Sequence, residues 1–148
     1  MVFRWALGIH NILRWVVVLV LLWGLYRAYA GWLGKKPYIV LDHRAGMILT
    51  IAYDIQFLLG LILAFISPII ASAFFNLNAA MQVNELRFFA VEHMPMMFLA
   101  LIFGHVTSAL SRKPDDDTLK HRYAALGYTL VAIITVAAIP WFRPLLRF

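Results

Sequence analysis

Cysteine is absent from the 148-residue sequence, and this absence excludes disulfide bonds, thiolate metal sites and cysteine-bound iron–sulfur clusters. Any metal or cofactor must therefore bind through histidine, methionine, carboxylate or backbone atoms. Charged residues are also scarce, at 14% of the chain, whereas 64% of the residues are hydrophobic. Soluble domains are about 25% charged and about 45–50% apolar. The composition therefore indicates an integral membrane protein.

Four apolar runs are each long enough to cross a bilayer, since about 20 helical residues rising about 1.5 Å each span roughly 30 Å of hydrocarbon. Backbone groups in lipid must be hydrogen-bonded internally, which favours helices. We therefore predict an all-α integral membrane four-helix bundle that forms a single domain over residues 1–148. The predicted spans cover about 7–32, 45–68, 88–110 and 123–142. The apolar segment 69–87 is predicted to contain a short helix in the membrane interface.

Acidic residues are outnumbered by basic ones, seven to thirteen, but the basic residues lie at the ends of the apolar runs. They form no stripe that would bind nucleic acid. One side of the predicted bundle carries Arg27, Lys35, Lys36, Arg44, Arg112, Lys113, Lys120 and Arg122. The other side carries Arg4, Arg14, Arg87, Arg143 and Arg147. The positive-inside rule then places the first set in the cytoplasm and both termini outside.

Ionisable residues inside spans cost at least about 2.5–3.5 kcal/mol each when central, so they usually face the bundle interior and mark function. The candidates are His10, Arg14, Asp54, Glu92, His93 and His105. His10 lies near the start of the first span and His93 near the start of the third. Because odd-numbered spans start on the same side of the membrane, both histidines lie in one leaflet, at depths that differ by less than about one helical turn. Two imidazoles placed in this way are suited to bind haem iron from both sides. The alternative is a pair of interfacial histidines with ordinary hydrogen bonds.

Other residues near this pair fit a haem site. Without cysteine the haem would be non-covalent, and hence b-type. Arg14 follows His10 by four residues and shares its helix face, so it is predicted to pair with a haem propionate or with Glu92. His105 lies about 18 Å deeper than His93 and cannot bind the same iron. We expect His105 to be a hydrogen-bonded core histidine.

A second polar group lies near the middle of the second span, at Tyr53, Asp54 and Gln56. Tyr53 and Gln56 are three residues apart on one helix face, and with Asp54 they predict a quinone-headgroup site or a proton relay. The alternative is a hydrogen bond between helices, with the carboxyl of Asp54 protonated by burial.

Three short motifs resemble a family of small four-span bacterial membrane proteins labelled cytochrome-b-like: HNILRW at 10–15, FFAVEH at 88–93 and AIPW at 138–141. The four-helix plan is also similar to that of cytochrome b561-type and copper-resistance-D-type proteins, in which helix histidines hold haem b. The four matched ligands of the two-haem b561 pattern are not reproduced here. The resemblance therefore implies one haem near the outer leaflet of a bacterial inner membrane.

These observations favour a b-haem-binding subunit of a respiratory or photosynthetic electron-transfer complex over a stand-alone enzyme. It would exchange electrons with quinol or a periplasmic partner, with His10 and His93 as ligands and Arg14 at the propionates. A first alternative is a cofactor-free accessory subunit that packs against lipid and larger subunits. A second alternative is a metal or small-solute transporter that uses Asp54 and His105.

Overall fold

The computed structural model describes residues 2–143, which contain eight helical segments. In chain order they are α1 (Val2–Leu33), α2 (Val40–Ile66), α3 (Pro68–Phe75), α4 (Leu77–Gln82), α5 (Asn84–Arg87), a π-helical segment (Phe88–His93), α6 (Met94–Leu110) and α7 (Asp117–Ala138). Residues 2–143 contain no β-strand.

Four of these stretches are long and apolar enough to cross a membrane: α1, α2, the continuous stretch Asn84–Leu110, and α7. Even the shortest, the 22-residue α7, reaches about 33 Å at 1.5 Å per residue, which matches the hydrocarbon layer. The predicted all-α four-helix membrane architecture is therefore confirmed. Both α1 and α2 begin before the predicted spans, because polar residues such as Arg4 and Asp42 extend the helices beyond the apolar runs.

The connection between the second and third spans contains two short helices, α3 and α4, where the sequence predicts one. Ser67 ends α2 and caps α3 through its hydroxyl, and Pro68 follows as the first helical residue. Asn76 then ends α3 and caps α4, since its side-chain oxygen accepts a 3.0 Å hydrogen bond from the backbone N–H of Ala79. Each cap satisfies a backbone donor that the start of a helix leaves unpaired.

Each spanning helix packs against two neighbours, in the order α1, α2, α6, α7 and back to α1. Chain neighbours in this ring run in opposite directions, as short connections require. The bundle therefore has two ends. The histidine end carries His10 and His93, and the lysine end carries the loops 34–39 and 111–116.

Polar contacts join the helices at the lysine end. The Arg27 guanidinium donates to the buried Asp42 carboxylate at 2.9 Å, which links α1 to α2. His121 of α7 is 2% exposed, with its ring pressed against Gly31 of α1 and 5.1 Å from the Tyr38 ring. Burial raises the pKa of the Tyr38 hydroxyl above its usual value. The absence of a side chain at Gly31 lets the imidazole enter the bundle.

Candidate cofactor site at the histidine end

The structure brings His10 of α1 and His93 of the third span next to each other inside the bundle. Their ring centroids are 6.4 Å apart and the ring planes are inclined at 71°. Both rings border one cavity of about 470 Å³, within the roughly 300–1,000 Å³ range of small-molecule sites. The two histidines that the sequence singles out therefore border the same cavity.

His93 is held by the end of α7. Its Nδ1 lies 2.7 Å from the Ala138 carbonyl oxygen, which only accepts hydrogen bonds, so Nδ1 carries the proton. Ala138 is the last residue of α7, and the final carbonyls of a helix have no partner within the helix. This hydrogen bond leaves the Nε2 lone pair of His93 available to a ligand.

His10 is held by Gln56 of α2. The Gln56 amide donates to the His10 carbonyl oxygen at 3.0 Å and lies 3.3 Å from His10 Nε2. A side chain at Gly60 would bring a carbon within 3.2 Å of the His10 ring, so glycine there gives the imidazole its space. Among the described residues, the buried His10 Nδ1 and Gln56 Oε1 find no hydrogen-bond partner. Buried polar atoms left without partners are costly, and a ligand in the cavity would satisfy them.

The cavity wall carries positive charge. Three arginines contribute to it, Arg4, Arg14 and Arg143, and none of the described lining residues is Asp or Glu. Arg14 also stacks on Trp15, with its guanidinium carbon 5.5 Å from the ring centroid. Arg143 contacts Phe89 and pairs with Glu85, which lies outside the cavity lining. This arrangement favours an anionic group on whatever occupies the cavity.

A π-helical segment positions His93. Its six residues, Phe88–His93, stand directly before α6, and Pro95 near the start of α6 has no N–H to donate to the carbonyl four residues earlier. The wider turns change the direction of the side chains relative to a regular α-helix. Such segments are rare in proteins as a whole, and those that occur are often found at functional sites.

The predicted mid-membrane polar group is divided between two faces of α2. Tyr53 and Gln56 line the cavity, and the Tyr53 hydroxyl is 2.6 Å from the Thr135 hydroxyl of α7. Asp54 is turned away from them and contacts His105 of α6 at 2.8 Å. Asp54 therefore does not join Tyr53 and Gln56, because adjacent helical residues point about 100° apart. It forms the hydrogen bond between helices that is the alternative prediction from the sequence.

The structure also shows the contacts of two other candidate residues. Glu92 pairs with Arg87 at 2.8 Å. His105 is hydrogen-bonded as expected but is half exposed on the outside of the bundle, where the sequence predicts a core position. Arg147 lies outside the described residues.

The sequence alone did not identify Arg4, Asn11, Arg143 or the Ala138 carbonyl as parts of this site. Asn11 is a buried amide beside His10 in an apolar span. An amide in such a span usually needs a hydrogen-bond partner inside the bundle, so the sequence could have indicated that Asn11 belongs to this site. The Ala138 carbonyl carries no sequence signal, because it becomes available only through the position where α7 ends.

Protein side chains alone do not form a complete metal site here, since residues 2–143 contain no group of three or more His, Cys, Asp or Glu that could hold an ion. Two histidines suffice only for a metal whose remaining ligands come from a prosthetic group. The fold defines a multi-pass helical membrane protein. Comparison of the chain with family models, curated proteins and solved structures finds no match.

Proposed function

We propose that this protein is a membrane subunit that binds one b-type haem between His10 and His93 and serves electron transfer. The observation that supports this proposal most directly is the distance of 6.4 Å between the two ring centroids. A metal bonds an imidazole nitrogen at about 2 Å, and the ring centroid lies about 1 Å further on. Two imidazoles on opposite sides of one ion therefore have centroids about 6 Å apart, which the pair in this structure matches.

The residues behind the two histidines support the same proposal. Metal-binding histidines usually donate their second ring N–H to a carbonyl or a carboxylate, which fixes the tautomer and the ring orientation. The Ala138 carbonyl does this for His93. Gln56 contacts both the ring and the backbone of His10 and would restrict its rotation.

The charged lining supports a porphyrin with anionic propionates. Arg14 lies one helical turn from His10 on the same face of α1, and Arg4 and Arg143 border the same cavity. Guanidinium groups bind carboxylates through two parallel hydrogen bonds. On this proposal the arginines orient the propionates, and the apolar lining residues exclude water.

Haem would supply one-electron chemistry, and the chain would set its orientation, its solvent access and its potential. We propose that the histidine end faces the periplasm of a bacterial inner membrane, with the lysine end in the cytoplasm. The electron partner would then be quinol or a periplasmic protein within a respiratory or photosynthetic complex. Tyr53 and Gln56 border the haem cavity, so a quinol would approach that cavity rather than occupy a separate site at Asp54.

The proposal is tested by purifying the chain in detergent after expression with ample haem, then measuring haem per chain and the reduced-minus-oxidised spectrum. We expect about one haem per chain and a b-type α band that shows two strong-field nitrogen ligands. A chain that folds normally but remains colourless after titration with haem contradicts the proposal and favours the cofactor-free accessory subunit.

A further inference from the structure

A second polar pair lies on the outside of the bundle, away from the cavity. Asp54 Oδ1 of α2 and His105 Nε2 of α6 are 2.8 Å apart, and the two side chains are 44% and 49% exposed. Neither residue lines the cavity that holds His10 and His93. The pair therefore needs an explanation that is independent of the candidate cofactor.

The pair lies deep within the predicted hydrocarbon layer. Asp54 follows Arg44, the last cation at the lysine end of α2, by ten residues and precedes Ser67 at the opposite end by thirteen. These separations correspond to about 15 and about 20 Å along the helix. Asp54 is therefore close to the middle of its span.

The neighbours of the pair are large apolar side chains that also point outward. Ile51 and Leu58 of α2 and Ile102 of α6 are all exposed, and each lies within one helical turn of Asp54 or His105. We call these three residues together with Asp54 and His105 the α2–α6 face. Ionisable groups at this depth almost always face other protein or water rather than lipid, so another protein surface is expected to cover this face.

The hydrogen-bonding capacity of the pair identifies a fitting partner. The observed bond uses His105 Nε2 and Asp54 Oδ1, and the described residues provide no partner for His105 Nδ1 or Asp54 Oδ2. The pair thus keeps one spare donor or acceptor on the imidazole and one spare acceptor on the carboxylate. In a dimer with a two-fold axis, the spare imidazole nitrogen of each copy can hydrogen-bond to the spare carboxylate oxygen of the other.

We propose that the chain forms a homodimer through the α2–α6 face, with the Asp54–His105 pairs of the two copies at its centre. Each imidazole would donate from Nδ1 to the carboxylate of the other copy, so that four polar groups satisfy one another. The surrounding apolar side chains would pack against their symmetry mates, since packing and polar contacts drive helix association in lipid.

The absence of cysteine makes this proposal directly testable by disulfide crosslinking. Leu58→Cys and Ile102→Cys place single thiols on the α2–α6 face, and Ile133→Cys places a matched thiol on an exposed position of α7. Each variant is oxidised in native membranes with a membrane-permeant catalyst. We expect a disulfide-linked dimer from at least one of the first two variants and none from Ile133→Cys. Equal yields from all three, or no dimer from either thiol on the α2–α6 face, would overturn the proposal.

The polar centre is tested by measuring the monomer–dimer equilibrium of His105→Leu in lipid bilayers. Removing the two reciprocal hydrogen bonds should weaken dimerisation about tenfold, while Thr118→Ala at the lysine end leaves it unchanged. A His105→Leu variant that dimerises as tightly as the native chain contradicts the proposed centre. A native chain that remains monomeric in bilayers also overturns it, as does an Ile102→Cys variant that crosslinks to a different protein and not to a second copy of itself.

Discussion

One candidate haem ligand is held by a backbone group and the other by a side chain. The backbone of α7 fixes His93, so no side-chain substitution removes that contact directly. The orientation of His10 depends on the side chain of Gln56. A substitution of Gln56 therefore changes how His10 is positioned while keeping both histidines in place.

Gln56→Leu should weaken haem binding without removing either ligand. Loss of a group that orients a metal-binding histidine typically costs about 10–100-fold in affinity. We expect a loss in that range, measured by haem titration of the purified protein, together with a shifted reduction potential. Asp54→Asn is the matched control, because Asp54 lies on the same helix but faces away from the cavity. Equal affinity for the native chain and Gln56→Leu would show that Gln56 does not position the ligand.

The Tyr53–Thr135 contact predicts an order of stabilities for two conservative substitutions. Thr135 Oγ1 donates to the Val131 carbonyl oxygen at 2.7 Å, so its hydroxyl accepts the proton of Tyr53 at 2.6 Å. Thr135→Val therefore leaves the buried Tyr53 hydroxyl without an acceptor and should lower the free energy of unfolding by about 1–2 kcal/mol. Tyr53→Phe leaves Thr135 bonded to its own helix and should cost less. Unfolding in mixed micelles gives both values, and a reversed order would refute this assignment of donor and acceptor.

At the scale of helices, close approach depends on positions without side chains. Gly31 of α1 receives the His121 ring, and a Cβ atom there would lie 2.2 Å from it. At Gly24, on the same helix, the nearest atom would be 3.8 Å away, belonging to Tyr128. Only the first of these contacts requires glycine.

Gly31→Ala should consequently destabilise the bundle by about 1–3 kcal/mol, the usual cost of overpacking. Gly24→Ala is the matched control and should be neutral or slightly stabilising, because alanine favours helix and has room there. Thermal unfolding in detergent would measure both. A stable Gly31→Ala variant would show that the His121 ring moves away at little cost.

The spans themselves could be predicted from the sequence, because apolar length and backbone hydrogen bonding in lipid leave few alternatives. The shared depth of His10 and His93 also followed from helix geometry alone. The side of the helix on which an individual residue lies did not follow from the sequence. Asp54 is grouped by sequence with Tyr53 and Gln56, yet α2 presents it to a different side. The buried His121 ring uses the space left by the missing side chain of Gly31. Rotation about a helix axis is determined by contacts with other helices, and a low-charge sequence with apolar residues on every face gives little indication of it.

At the scale of the whole molecule, the lysine end and the histidine end differ in cationic residues, which supports our proposed orientation. This orientation predicts distinct labelling of two introduced thiols. Asn78→Cys on α4 and Asp115→Cys in the loop before α7 are both exposed positions. In intact cells a membrane-impermeant maleimide should label Asn78→Cys, whereas Asp115→Cys should react only after the cells are broken. The reverse pattern would place the histidine end in the cytoplasm.

The most direct test of the proposed haem site is the haem content of purified His93→Ala compared with the native chain and with His105→Ala. His93 borders the cavity, and His105 lies on the outer face. We predict about one haem per chain for the native protein and for His105→Ala, and almost none for His93→Ala. Haem retained in His93→Ala, or lost only in His105→Ala, would contradict the account.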